Sequence, residues 1–252
     1  MPMKSIEDGA TTMDMPSAEP ATTTVLTQVR ELIVTGTIGP GARLAAEAIA
    51  KDLGVSRTPV RSALAVLTAE GLVSHSMNRG YTVRDIGFRD ILDAVEARAV
   101  LEARACGLSV DYGWSEEELG ALEADVDSGR AIIAGGRWSE EIEHAWYEAN
   151  RGFHSLIVRA SRNATMRNAV RMTLIHPIFG DIARTSPAVS KFVPKRFREI
   201  PAEPPEHIVD SQADHEAILA AIRDDDAVLA EKLMLDHVLK GKARLAACAT
   251  RR

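Results

Sequence analysis

Arg57 and Arg61 stand four residues apart with Thr58 beside them, so a helix would gather all three at one end of one face. A guanidinium is a planar fork of donors that fits guanine O6 and N7, or a phosphate, in bidentate fashion. A threonine hydroxyl bonds phosphate, and its methyl meets that of thymine. The chemistry is that of contact with a DNA duplex. The flanking residues supply the helix. A short apolar-periodic run, Ile49 to Leu53, ends at Gly54, where a helix C-terminus favours positive φ. Ser56 is placed to cap the next helix and to offer a hydroxyl to phosphate, and Pro59 falls in the first turn, where a missing N–H costs little. Val60, Ala63, Leu64 and Leu67 recur at three- and four-residue steps as a buried face. Helix, tight turn and helix make a helix-turn-helix, whose second helix points its N-terminal end at the major groove.

Two more features extend this unit. Glu70-Gly71-Leu72-Val73 closes the helix on a glycine and starts a strand, and Asn78-Arg79-Gly80 forms a hairpin tip before Tyr81-Thr82-Val83. Arg79 and Gly80 at that tip suit entry into the adjacent minor groove. Upstream, Val25, Val29, Leu32 and Ile33 form one helical face, closed by Gly36 and Gly39-Pro40-Gly41. The expected second helix runs from Leu44 to Leu53 and the third from Ser56 to Ala69. In order, the first helix, the Pro-Gly entry, Gly54-Val55-Ser56-Arg57-Thr58-Pro59-Val60-Arg61 and the Arg-Gly wing tip resemble the winged-helix domain of GntR-superfamily bacterial transcription regulators, over about residues 24–85. That resemblance implies DNA contacts from Ser56, Arg57, Thr58, Arg61, Arg79 and Gly80. One departure is Glu47-Ala48, where some relatives carry a basic residue in the second helix.

With 46% hydrophobic and 26% charged residues, the 252-residue chain has the make-up of a globular protein with room for two modest domains. No apolar run approaches the roughly 18 residues of a membrane span, and no basic region leads into an apolar core near residue 1, so a cytoplasmic protein is expected. Cys106 and Cys248 are too few for a disulfide framework or a four-thiolate zinc site. The net charge of −6 is unevenly spread. Residues 22–85 hold seven Lys/Arg against five Asp/Glu, whereas residues 1–21 and 86–252 are both acidic. A weakly basic head on an acidic body suits a protein that touches DNA with one part only, with clear salt dependence.

The expected organisation is a flexible arm at 1–21, the winged helix-turn-helix domain at 22–85, and an all-α antiparallel bundle at 86–252. Helical spacing and dense alanine run from Ile86 through Ala105, and Ser115 with Glu118 forms a capping box. Further helices are expected at about 139–160, 163–185, 208–223 and 225–247. Ser186 to Pro205 is too rich in proline for one helix.

Three sets of residues give this body its own resemblance. They are Glu96-Ala97-Arg98 with Leu101-Glu102, Asn150-Arg151-Gly152-Phe153-His154 with Asn163, and His215 to Ile222 with Asp226, Ala230, Met234 and His237. Together they resemble the FadR-type C-terminal domain, an antiparallel helical bundle that binds a small effector and dimerises. In many relatives three histidines and an Asp or Asn hold a divalent metal, which carries over to Asn150, His154, His215 and His237. Residues 150 and 154 share a helix face, and 215 and 237 lie on successive antiparallel helices, so their side chains can converge. The expected ion is zinc, with nickel as the substitute. Three imidazoles and a neutral amide leave the ion its full charge, which implies an anionic, carboxylate-bearing effector, paired also with Arg98. His176 is a further lining candidate, though a histidine before Pro177 reads more readily as a helix end.

The implied protein is a homodimer that binds an inverted-repeat operator in double-stranded DNA and is controlled by a small organic acid. A regulator sensing the ion alone is the alternative. A metal-dependent hydrolase finds no support: there is no HExxH, Gly-rich phosphate loop or nucleophile elbow.

Overall fold

A computed structural model describes residues 21–34, 36–77, 80–85, 87–173 and 198–250. Arg79, His176 and most of the proline-rich stretch lie outside them, as do residues 1–20 of the expected arm.

The first unit is built as its sequence requires. Helix α1 (Ala21–Val34) buries Val25 and Val29, and helix α3 (Arg57–Ala69) buries Val60, Ala63, Leu64 and Leu67. Between them come strand β1 (Arg43–Leu44) and helix α2 (Ala46–Asp52). The expectation that Leu44 opens a helix is corrected here: it pairs with Tyr81, and its buried side chain joins the core. That pairing depends on a strand almost forty residues away, which local periodicity cannot register. Gly54 adopts φ +65° at the turn between α2 and α3. Ser56 is the N-cap of α3, but its side chain makes no capping hydrogen bond. Strands β2 (Val73–Ser76) and β3 (Gly80–Val83) form the wing hairpin, and the antiparallel sheet has the order β1-β3-β2.

Six helices follow. Helix α4 (Phe88–Tyr112) is one continuous rod. Helix α5 (Glu116–Ala134) begins with the expected Ser115–Glu118 capping box. Helices α6 (Glu140–Ala160), α7 (Ala164–Thr173), α8 (Glu206–Arg223) and α9 (Ala227–Thr250) complete the bundle. The protein is therefore mainly helical, a winged helix-turn-helix followed by an all-α bundle.

Cross-links fix the helix directions. Glu96 pairs with Lys242 and Arg104 with Glu231, so α4 and α9 are antiparallel. Arg223 pairs with Glu123 and Arg130 with Glu216, which makes α5 and α8 antiparallel as well. The bundle core includes Val95, Ala99, Phe153, Ile157, Ile218 and Met234. Two bundle residues, Ile91 near the start of α4 and Leu245 near the end of α9, are instead buried in the core of the winged unit.

Candidate metal centre and DNA-binding face

Three helices deliver three histidines to one point. α6 is amphipathic, burying Trp146, Phe153, His154, Ile157 and Val158, so His154 points inward with the apolar face. α8 buries His215 between Gln212 and Ile218, and α9 turns His237 towards both. The ligand-capable nitrogens of His154, His215 and His237 lie within 4.8 Å of one another. Nε2 of His154 is 3.3 Å from Nε2 of His237, and Nε2 of His215 is buried with no hydrogen-bond partner.

The far sides of two rings explain the near sides. Nδ1 of His154 lies 2.7 Å from Oε2 of Glu102, and Nδ1 of His237 lies 3.2 Å from Oδ2 of Asp214. An ionised carboxylate only accepts, so Nδ1 is the protonated nitrogen in each neutral ring and Nε2 carries the lone pair. Two lone pairs then face each other across 3.3 Å, with an unpartnered His215 nitrogen beside them. A shared cation resolves that repulsion. Nitrogens about 2.0–2.1 Å from a tetrahedral zinc ion are themselves about 3.3–3.4 Å apart, so the spacing fits. Carboxylates behind ligating imidazoles are the usual means of fixing ring orientation in such sites.

Electrostatics favours the ligand form. Burial pushes His154 down to about 4, against the opposing pull of Glu102, and burial also drives His215 well below the usual histidine range, helped by His237 and His154. Both rings are thus neutral near pH 7. Glu102 is ionised: burial raises its pKa, but the Arg98 charge beside it and the contact with His154 outweigh burial and hold it at about 2. Arg98 donates to Glu102 through Nε at 2.5 Å and through its second guanidinium nitrogen at 3.2 Å.

Over the histidines opens a cavity of about 340 Å³. Arg98, Asn150, His154 and His237 line it, so the structure brings the sequence-derived candidates of the bundle together around one space, with His215 packed behind on Phe153. Asn150 stands one turn before His154 on α6 and is half-buried. Sequence reasoning did not assign roles to Glu102 and Asp214. Glu102 offered a signal, an Arg–Glu pair at four-residue spacing within the apolar stretch of α4; Asp214, directly before His215, offered none.

In the winged unit, Arg57, Thr58 and Arg61 are exposed at the N-terminal end of α3, opposite its buried face. Gly80 opens β3 with φ +69° beside the wing tip, whose Arg79 falls outside the described residues. Arg57 lies 4.0 Å from Glu47 of α2, both largely exposed.

Comparison with known proteins agrees with this architecture. The family model described as "Bacterial regulatory proteins, gntR family" matches residues 21–83, and the FCD domain model matches residues 93–240. The chain belongs to the GntR family and carries an FCD domain. A Bacillus subtilis relative, "Uncharacterized HTH-type transcriptional regulator YdhC", is 32% identical over 59% of the chain and 65% of its own length. The "Probable D-xylose utilization operon transcriptional repressor" of Paenarthrobacter nicotinovorans is 30% identical over 90% of the chain and 91% of its own length. The solved structure of E. coli McbR/YncC has the same fold, with a TM-score of 0.64 at 22% identity, over 91% of the chain and 99% of that structure. This GntR-family protein is thus a DNA-binding transcription regulator of the FadR subfamily, and its homologues are regulators rather than enzymes. Among the described residues no helix is long and apolar enough to cross a membrane.

Proposed function

We propose that this regulator is switched by a small carboxylate-bearing metabolite that completes the shell of a zinc ion, or nickel in its place, held by His154, His215, His237 and Asn150. The observation that carries the reading is the pair of facing Nε2 atoms of His154 and His237 on the wall of a cavity large enough for an organic molecule. The ion supplies a positive charge and open coordination positions. Glu102 and Asp214 orient the imidazoles, and Arg98, steadied by Glu102, lines the space the carboxylate enters. A volume of about 340 Å³ favours this over a sensor of the ion alone, which would leave most of that space unused.

Residues 22–85 read DNA and 86–252 bind effector and pair two copies, so that two heads meet the half-sites of an inverted repeat. Ser56, Arg57, Thr58 and Arg61 face the major groove, and Arg79 and Gly80 the minor groove. Effector binding shifts the heads, and by linkage DNA and effector alter each other's affinity by the same factor.

The test is a gel shift with DNA from upstream of the protein's own gene, run with protein as purified, with chelator, and with zinc plus a panel of small organic acids. The reading expects a specific complex whose affinity changes with at least one acid only when zinc is present. A response to chelator alone, with no acid acting, would establish the ion sensor instead.

A further inference from the structure

The cavity has a second polar end, two helical turns from the histidines. α8 and α9 run antiparallel, and Asp214 of one meets His237 of the other. Seven residues earlier on α8 stands His207 and seven residues later on α9 stands Arg244, and both line the same cavity. Seven residues is nearly two turns, so this pair repeats the face of the first pair about 10 Å along the bundle. Arg244 is close enough for its charge to act on His207, with burial the larger effect, and together they push that histidine down to about 3.

His207 has something its neighbour does not need. Its Nε2 is buried and makes no hydrogen bond. A neutral ring offers one donor and one acceptor, and buried polar atoms are ordinarily partnered. The cavity is also walled by Val95, Trp146, Ile208, Val238 and Leu245, which favour an apolar body. Charge decides what the far group is. Glu206 and Asp210 line that end too, and Asp210 also acts on Lys240, one turn before Arg244 on the cavity wall, so two carboxylates match two cations and leave no surplus positive charge for a second anion. An uncharged oxygen, accepting from His207 or Arg244, suits the site.

We propose that the effector is an organic acid whose far end carries an uncharged hydroxyl or carbonyl oxygen, bound at His207 and Arg244, with an apolar link between. Allowing about 3 Å for the far contact, the oxygen lies about 6–8 Å from the carboxylate. This rests on the carboxylate reading above and adds the chemistry of the opposite end.

Calorimetric titration of the zinc-loaded full chain tests it, using straight-chain monocarboxylic acids of five to eight carbons, their terminal hydroxy derivatives and the matching diacids. At the best length the hydroxy acid should bind at least tenfold more tightly than its parent, and the diacid no more tightly than the hydroxy acid. In His207→Leu and Arg244→Met the advantage should shrink to about twofold or less. The proposal is overturned if no hydroxy acid outperforms its parent, if a diacid is the tightest ligand, or if the advantage survives both substitutions. Should no acid of any series bind the zinc-loaded protein, the carboxylate reading itself has failed, an outcome distinct from parent acids binding as well as their derivatives.

Discussion

Glu102 holds His154 and Arg98 at once: one carboxylate oxygen meets Nδ1 of the imidazole at 2.7 Å, and the pair of oxygens takes two guanidinium contacts. All three side chains are buried, so the acid both aims a candidate ligand and balances a cation that has left water.

Glu102→Gln keeps the shape and removes the charge. Breaking one side of a buried ion pair costs about 3–5 kcal/mol, and losing the orienting carboxylate should lower zinc affinity about 10–100-fold. Asp214 is partly exposed, and so Asp214→Asn should weaken zinc binding with a smaller loss of stability. Urea unfolding and calorimetric zinc titration of both variants separate the two effects; equal stability losses would contradict the difference in burial.

The metal-free protein should gain stability as pH rises from about 4 to 6.5. His154 titrates at about 4 in the folded chain against about 6.5 unfolded, so in this window the unfolded state binds the extra proton and acid favours unfolding. His154 alone accounts for on the order of 2 kcal/mol between pH 7 and pH 5. His215, lowered for the same reason, acts in the same direction. Glu102, lowered to about 2, adds stability that is present above its unfolded pKa and lost as pH falls below about 4.5. Urea midpoints at pH 5 and 7 measure the effect, and His154→Gln should flatten it.

Arg57→Ala and Arg61→Ala should each cost roughly 1–3 kcal/mol in operator affinity with little change in melting temperature, since both side chains are exposed. Glu47→Gln should do the reverse. Its carboxylate, 4.0 Å from Arg57, competes with phosphate for that guanidinium, and removing it should strengthen binding a few-fold at low salt. Fluorescence anisotropy with labelled duplex reads all three.

Two glycines of α5 should respond oppositely to alanine. A Cβ on Gly120 meets nothing within 4 Å, so Gly120→Ala should stabilise by about 0.5–1 kcal/mol. A Cβ on Gly129 would collide with the amide oxygen of Gln212, whose Cδ is 3.1 Å away, with Trp146 Nε1 at 3.3 Å. Gln212 is buried and donates to the Val126 carbonyl, so it has nowhere to retreat. Gly129→Ala should destabilise by about 1–3 kcal/mol. Thermal melts of the pair give the two signs.

Where local chemistry decides, the sequence was readable. Gly54, Pro59 and the buried face of α3 announced the helix-turn-helix, Ser115 with Glu118 marked the start of α5, and the three histidines followed from the resemblance of their motifs to the FadR-type domain. Where a distant partner decides, it was not. Leu44 is a strand residue because Tyr81 pairs with it, and Ser56 occupies a cap position without using its hydroxyl. Asp214 looked like an ordinary surface acid until α9 brought His237 against it, and Glu102, though part of a motif, gained its role only where α6 brings His154 to it. His207 drew no notice because its isolation exists only in the folded bundle.

Leu245 belongs to two neighbourhoods, the core beneath the recognition helix and the wall of the cavity over the histidines. On α4, Ile91 sits in that same core while Val95, one turn on, lines the cavity. The histidine cavity and the DNA-reading head therefore share a partition, like adjoining rooms with one wall between them. Under the proposed function, an effector that pushes on that wall would press at once on the underside of the DNA-reading head.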